Sequence, residues 1–218
     1  MKKLITYFFI LFCVNAFAQK TYTFDYYTVY EYKKKESDKK SVSEYTFSNS
    51  NDNYYYLRFA VEDSIIQNTI QLIDYKNQQI YLYDIEPVKN KSVSNLSNLF
   101  KFEHKSTYDL TECRTVNRYI YKIDFYDDKE YSFSMEQYKK RNSKLVETSY
   151  YQTVADNEIK NQIYNSFLAV SLHCNKFKID MTDVIVYSYF KKRNSKKRYN
   201  IRELVAMEKI DLTINTTS

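Results

Sequence analysis

TYTFDYYTVYEYK, from Thr21 to Lys33, alternates aromatic with polar residues along most of its length. Tyr22, Phe24, Tyr26, Tyr30 and Tyr32 stand at alternate positions and are expected to share one face. Thr21, Thr23, Asp25, Glu31 and Lys33 take the other, broken only by Tyr27 and Val29. A two-residue period rich in aromatic and β-branched side chains fits a half-buried strand, not a helix.

The same alternation recurs along the chain. It returns at Tyr45/Phe47, at Tyr55 to Val61, at Ile66 to Leu72 and at Ile80 to Ile85. It resumes over 119–126, 131–138, 145–151, 184–190 and 199–214. Short runs at regular spacing, separated by polar turns, predict a mainly β (α+β) fold: a curved antiparallel sheet or half-open barrel. One amphipathic helix is expected to pack on it over 156–173. Asp156 serves there as N-cap, with Glu158 in the first turn, and Ile159, Ile163, Phe167 and Val170 form the stripe. Val93 to Phe102 is a weaker helical candidate, since Phe100 and Phe102 also suit a strand.

The 218 residues include no glycine, no tryptophan and one proline, Pro87, against 25 tyrosines and 14 phenylalanines. Ordinary usage would give roughly 15 glycines. Phosphate loops, dinucleotide-binding turns, EF-hand loops and nucleophile elbows each require glycine at a fixed place, so all are excluded. Hairpins are not excluded, because Asn and Asp tolerate the left-handed backbone region better than other residues. Asn49 to Asn53, Lys76-Asn77, Asp127-Asp128, Asn142-Ser143 and Asn194-Ser195 are the expected turns.

The first eighteen residues read as a secretory signal peptide. Lys2 and Lys3 precede an apolar run from Leu4 to Val14, too short to span a bilayer, and Ala16-Phe17-Ala18 gives the small-residue cleavage pattern. Cys13 follows Phe12, whereas lipoprotein processing sites resemble a small residue before the cysteine. Cleavage after Ala18 leaves a single β-rich domain, 19–218, and loss of Lys2 and Lys3 lowers the formal net charge from +6 to +4. That mild balance argues against a nucleic-acid partner. No other apolar stretch approaches spanning length, so the mature chain is expected to lack a transmembrane helix and to reside in the periplasm or outside the cell.

Export also decides how the cysteines are read. Cys113 and Cys174 are expected to form a disulfide, worth about 4 kcal/mol in the chain-entropy picture. The competing arrangement, a metal held by both cysteines with His104 and His173, matches no zinc spacing, and adjacent His173 and Cys174 make awkward joint ligands. Asp124, Asp127, Asp128 and Glu130 form an acidic group that a hairpin turn explains without chemistry. No catalytic residue, cofactor or metal is expected.

Three basic turns stand out. KKRNSK occurs at Lys139 to Lys144 and again at Lys191 to Lys196, each after an aromatic, and KKKESDKK runs from Lys33 to Lys40. If these tips gather at one end of the sheet, Lys139, Lys140, Arg141, Lys191, Lys192 and Arg193 would face an anionic surface of headgroups or glycans. The plain alternative is a set of solvated turns whose lysines discourage edge pairing.

The exported start, the strand TYTFDYYTVYEYK and the helix expected at 156–173 together resemble, in architecture, the half-barrel of periplasmic lipoprotein carriers. The hairpin stretch NSNDNYYYLRF, from Asn49 to Phe59, is similar to those of small secreted β-rich envelope proteins. The resemblance implies a non-catalytic envelope protein that binds a lipid or other apolar ligand. It transfers no functional residue. A structural or adhesive surface protein, or a small outer-membrane barrel, is the alternative.

Overall fold

The alternating segments form eleven strands: β1 (Lys20–Lys35), β2 (Val42–Ser48), β3 (Tyr55–Glu62), β4 (Ile65–Asp74), β5 (Gln79–Ile85), β6 (Phe100–Thr107), β7 (Arg118–Tyr126), β8 (Glu130–Tyr138), β9 (Leu145–Ala155), β10 (Asp183–Lys192) and β11 (Tyr199–Thr216). The computed structural model describes residues 20–52, 54–62, 65–77, 79–85, 100–107, 118–126, 130–139, 144–155 and 183–216. The expected signal peptide, the helix at 156–173 and Cys113 and Cys174 lie outside those residues. Among the described residues the structure is all β. Phe100 and Phe102 take the strand alternative.

All eleven strands join one antiparallel sheet in the order β6-β5-β4-β3-β2-β1-β11-β10-β9-β8-β7. Two meanders, β1 to β6 and β7 to β11, are therefore fused where the first and last strands pair. That ladder runs from Lys20 opposite Thr216 to Lys35 opposite Tyr199. With every neighbour antiparallel and eleven strands in the row, the edge strands β6 and β7 point the same way.

The sheet bends around its principal core. Tyr22 and Phe24 of β1, Phe47 of β2, Leu57 and Phe59 of β3, Ile70 and Leu72 of β4, and Tyr81 and Tyr83 of β5 form one buried cluster with Leu212 and Ile214 of β11. In a flat sheet β1 and β5 would lie roughly 19 Å apart, four steps of about 4.8 Å. Instead the Tyr22 and Tyr81 rings meet edge to face with centroids 5.9 Å apart, and Tyr22 also packs on Tyr55 at 5.0 Å. Curvature on this face brings the rings together, and quadrupole-favoured T-shaped contacts hold them there.

Beneath these rings lies a buried ionic knot. Asp74, 1% exposed, accepts hydrogen bonds from Lys20 Nζ, from the Tyr22 hydroxyl (2.6 Å), and from Asn77 through its backbone N–H (2.9 Å) and side-chain amide (2.7 Å). Burial alone would raise this carboxyl's pKa, but the donated bonds outweigh it and hold the group below its ordinary value. The knot ties the start of β1 to the β4–β5 turn.

The expected single face of β1 needs correction. Tyr22 and Phe24 share their cluster with Tyr27, whereas Tyr26 joins Val184, Leu204 and Met207 in a separate one. The alternation breaks at Asp25, where the β1–β11 register shifts between Phe24 and Tyr26. A shift of this kind sends later side chains to the opposite face. Tyr26 and Tyr30 thus leave the principal core and face β10. There the Tyr30 hydroxyl donates to the Ile185 carbonyl at 2.8 Å. This contact is possible because β10 pairs with β11 only from Tyr187 to Phe190, so its first half is free to lie over β1.

Among the described residues turns form without glycine, as expected, whereas the expected turns at Asp127-Asp128 and Asn142-Ser143 lie outside those residues. Asn49 Oδ1 accepts from the backbone N–H of Asn51 and of Asp52, Asp52 Oδ1 from that of Tyr54, and Asp74 Oδ1 from that of Asn77. Asn194 adopts φ 61°, the left-handed value that glycine would otherwise supply.

Candidate functional site

Registers decide where the basic turns lie. Lys35 at the end of β1 is opposite Tyr199 at the start of β11, and Phe190 near the end of β10 faces the same Tyr199. Lys192 is opposite Glu147 of β9, and Leu145 of β9 is opposite Tyr138 of β8. The β1–β2, β10–β11 and β8–β9 tips therefore abut along one end of the sheet. Adjacent hairpins are two strand spacings apart, about 10 Å, close to the screening length at 0.1 M salt, so their charges act jointly. The next hairpin along that end, β3–β4, carries Glu62, which marks a boundary of the cationic stretch.

Each tip is closed by its own polar groups. The Asp38 N–H donates to the Lys35 carbonyl at 3.1 Å, and Asp38 Oδ2 accepts from the Lys35 N–H at 2.8 Å. The Ser195 N–H donates to the Lys192 carbonyl at 3.0 Å, with Asn194 in its left-handed conformation between them. The Lys139 N–H donates to the Lys144 carbonyl at 2.9 Å, and the Arg193 N–H reaches across to the Val146 carbonyl at 3.1 Å. This last bond stitches two of the basic tips together.

Of the residues singled out from sequence, Lys139, Lys192 and Arg193 are exposed on this rim and Lys191 is half-buried beside it. Lys139, Lys192 and Arg193 share the lining of one shallow depression of about 500 Å³. Lys140 and Arg141 lie outside the described residues. Of the metal candidates, His104 sits on β6 opposite Leu82, and His173, Cys113 and Cys174 lie outside the described residues. Among the described residues no group of three or more His, Cys, Asp or Glu gathers as a metal site would require.

A larger cleft of about 860 Å³ opens between the β1–β2 and β10–β11 tips. Lys34, Lys35, Lys192, Lys197, Arg198 and Tyr199 line it, with Glu36 as the acid among them. Two of its cations, Arg198 and Lys192, are seated on aromatic rings. The Arg198 guanidinium lies 4.8 Å over the Tyr189 ring, donates to the Tyr187 hydroxyl at 3.4 Å, and stands 3.9 Å from Glu36 across the cleft. Lys192 Nζ lies 5.7 Å over Tyr199, whose hydroxyl donates to Glu147. Burial, reinforced by that bond to Glu147, pushes the Tyr199 phenol above its ordinary pKa, so the ring stays neutral at physiological pH.

Next to the cleft, Tyr150 and Tyr189 stack across β9 and β10 at 4.8 Å, and Lys191 Nζ lies 5.1 Å and 5.4 Å over the two rings. Sequence reading missed Arg198 and this tyrosine stack. The alternation of Tyr187 and Tyr189 was visible, but their pairing with Tyr150 and Arg198 depends on cross-strand register. Comparison with family models, with curated proteins and with solved structures finds no match for this chain.

Proposed function

We propose that this chain is a non-catalytic, exported envelope protein that docks tip-first on a polyanionic surface. The observation that supports this reading is the gathering of three lysine-rich hairpin tips at one end of the sheet. The other end carries the Asn- and Asp-rich turns of β2–β3 and β4–β5, so charge is polarised along the strands and would steer an approaching polyanion to the rim. The reading belongs to the structural or adhesive class.

The alternative, a half-barrel enclosing an apolar ligand, would place that ligand inside the bend of β1 to β5. In that bend the rings of Tyr22, Phe24, Phe47 and Tyr81 already pack on one another, so the rim carries the proposal. Single-chain bacterial outer-membrane barrels close an even number of antiparallel strands, whereas the described residues form eleven in one open row, with β6 and β7 pointing the same way.

The test is co-sedimentation of the mature protein, residues 19–218, with phosphatidylglycerol-containing vesicles and with pure phosphatidylcholine vesicles. Binding is expected only to the first, and it should fall steeply when Lys35, Lys139 and Lys192 are all changed to alanine. Equal binding to both vesicles, or binding unaffected by the triple substitution, would overturn the reading. Native mass spectrometry of the same material checks the alternative, since a stoichiometric co-purifying lipid would favour a pocket.

A further inference from the structure

Resting on that reading, we propose that the cleft between the β1–β2 and β10–β11 tips is a discrete site for a phosphomonoester or diphosphate group. That group would be the terminal charge of a larger headgroup or glycan.

Three observations carry the proposal. The first is charge density. Lys34, Lys35, Lys192, Lys197 and Arg198 converge on one cleft against Glu36. A single carboxylate would leave most of that charge unmatched. A phosphomonoester carries about −1.5 to −2 at neutral pH and offers three acceptor oxygens, so it matches several ammonium groups and one guanidinium fork together.

The second is preorganisation. Arg198 is clamped by Tyr189, Tyr187 and Glu36, and Lys192 is seated on Tyr199. Lysine and arginine normally lose considerable rotamer freedom on binding, and a cation already held by a ring loses less. Tyr187, Tyr189 and Tyr199 thus aim charge at the cleft.

The third is size. A cleft of about 860 Å³ exceeds the needs of an inorganic anion and falls within the range of small-molecule sites. The Tyr199 ring and the aliphatic stems of the lysines give it apolar walls against which a sugar or glycerol moiety can pack. Among the described residues, both positive-φ positions fall in this hairpin region, Asn194 at its tip and Asn200 in the cleft lining. Asn200 is pinned there by the Tyr32 hydroxyl, which donates to its Oδ1 at 2.9 Å.

Calorimetric titration of the mature protein with inorganic pyrophosphate tests the site. One saturable pyrophosphate per chain is expected, weakened about tenfold or more by Arg198→Gln or Lys192→Ala, the loss appropriate to a bond between charged groups. Arg58→Gln removes one positive charge outside the rim and should leave the titration unchanged. Arg198→Lys keeps the charge but not the fork, and should fall between wild type and Arg198→Gln. Melting curves of each variant confirm folding.

A second arm compares vesicles doped with phosphatidic acid, a monoester, with vesicles doped with phosphatidylglycerol, a diester, at equal surface charge. Preference for phosphatidic acid, lost in Arg198→Gln, places the group on a lipid. Pyrophosphate binding without vesicle binding keeps the cleft, assigns its ligand to a soluble phosphorylated molecule, and refutes the surface-docking reading. Vesicle binding with neither monoester preference nor pyrophosphate saturation overturns the cleft while the rim reading stands. Failure of both arms overturns both.

Discussion

Replacing Asp74 tests the ionic knot at the end of the sheet remote from the rim. The carboxylate is 1% exposed and accepts from Lys20, Tyr22 and Asn77. These partners are not equal. Lys20 is 41% exposed and Asn77 is exposed, so both regain water when the carboxylate is removed. Tyr22 is fully buried, and its hydroxyl loses its charged acceptor and keeps only its contact with Tyr81. Asp74→Ala should therefore cost about 2–4 kcal/mol, from the lost charge-assisted bonds and the weakened bonding of the buried phenol. Asp74→Asn keeps an acceptor for the Asn77 N–H and should cost about 1–2 kcal/mol. For a chain of this length each kcal/mol lowers the melting temperature by roughly 2–4 °C, so the alanine variant should melt roughly 5–15 °C below wild type.

The pH dependence supplies a second check. The pKa of Asp74 is lowered in the fold from its ordinary 3.8. Its stabilisation is thus complete above the unfolded value and is lost as pH falls through the lower, folded value. The gap between wild type and Asp74→Asn, measured by thermal or urea unfolding, should be constant at neutral pH and close below about pH 4. Equal stability of the two proteins at neutral pH, or a gap that persists undiminished in strong acid, would refute this account of the knot.

Other outcomes follow from the same geometry. Asn194, at φ 61°, should tolerate glycine without loss, whereas alanine should cost about 1 kcal/mol; an alanine variant that melts at or above the glycine variant contradicts the turn assignment. Burial raises the phenols of Tyr22, Tyr30 and Tyr83, so their stabilisation is full below about pH 10 and is lost as pH rises through the folded values. Ultraviolet titration should accordingly show tyrosines that ionise only as the sheet unfolds, and a single reversible phenol transition with the β signal intact would count against it. Thiol titration of the mature protein under denaturing conditions should find no free thiol, and two would overturn the expected Cys113–Cys174 disulfide.

Much of the sheet could be read from the two-residue period, because strand identity depends on local alternation. The face of each side chain could not. Tyr22 to Tyr32 reads as one stripe, with Tyr27 and Val29 as exceptions on the other face, and these do not locate the break at Asp25, since a register shift is set by the partner strand. The turns were legible because Asn and Asp reach the left-handed region or close a turn with their own oxygens, as Asn49 and Asp74 do. The three basic tips were legible one at a time. Their convergence rests on the pairing of β1 with β11, two strands from opposite ends of the chain, which no local signal encodes. Arg198 was missed for the same reason, because the rings that hold it stand on β10 and are recognisable as a seat only once β10 and β11 are paired.

In the proposed docking mode the protein meets a polyanionic surface with the lysine-rich end of its sheet. Lysine acetylation of the mature protein, free and bound to phosphatidylglycerol vesicles, followed by mass spectrometry, reads this directly. Lys35, Lys139 and Lys192 should be protected on the vesicles, while Lys122 on β7 and Lys209 on β11 should react as they do in the free protein. Protection should vanish when salt is raised from about 0.1 M to about 1 M, which shortens the screening length from about 10 Å to about 3 Å. Uniform labelling of all five lysines in the bound state, or protection of Lys122 and Lys209 instead of the rim, would contradict the account.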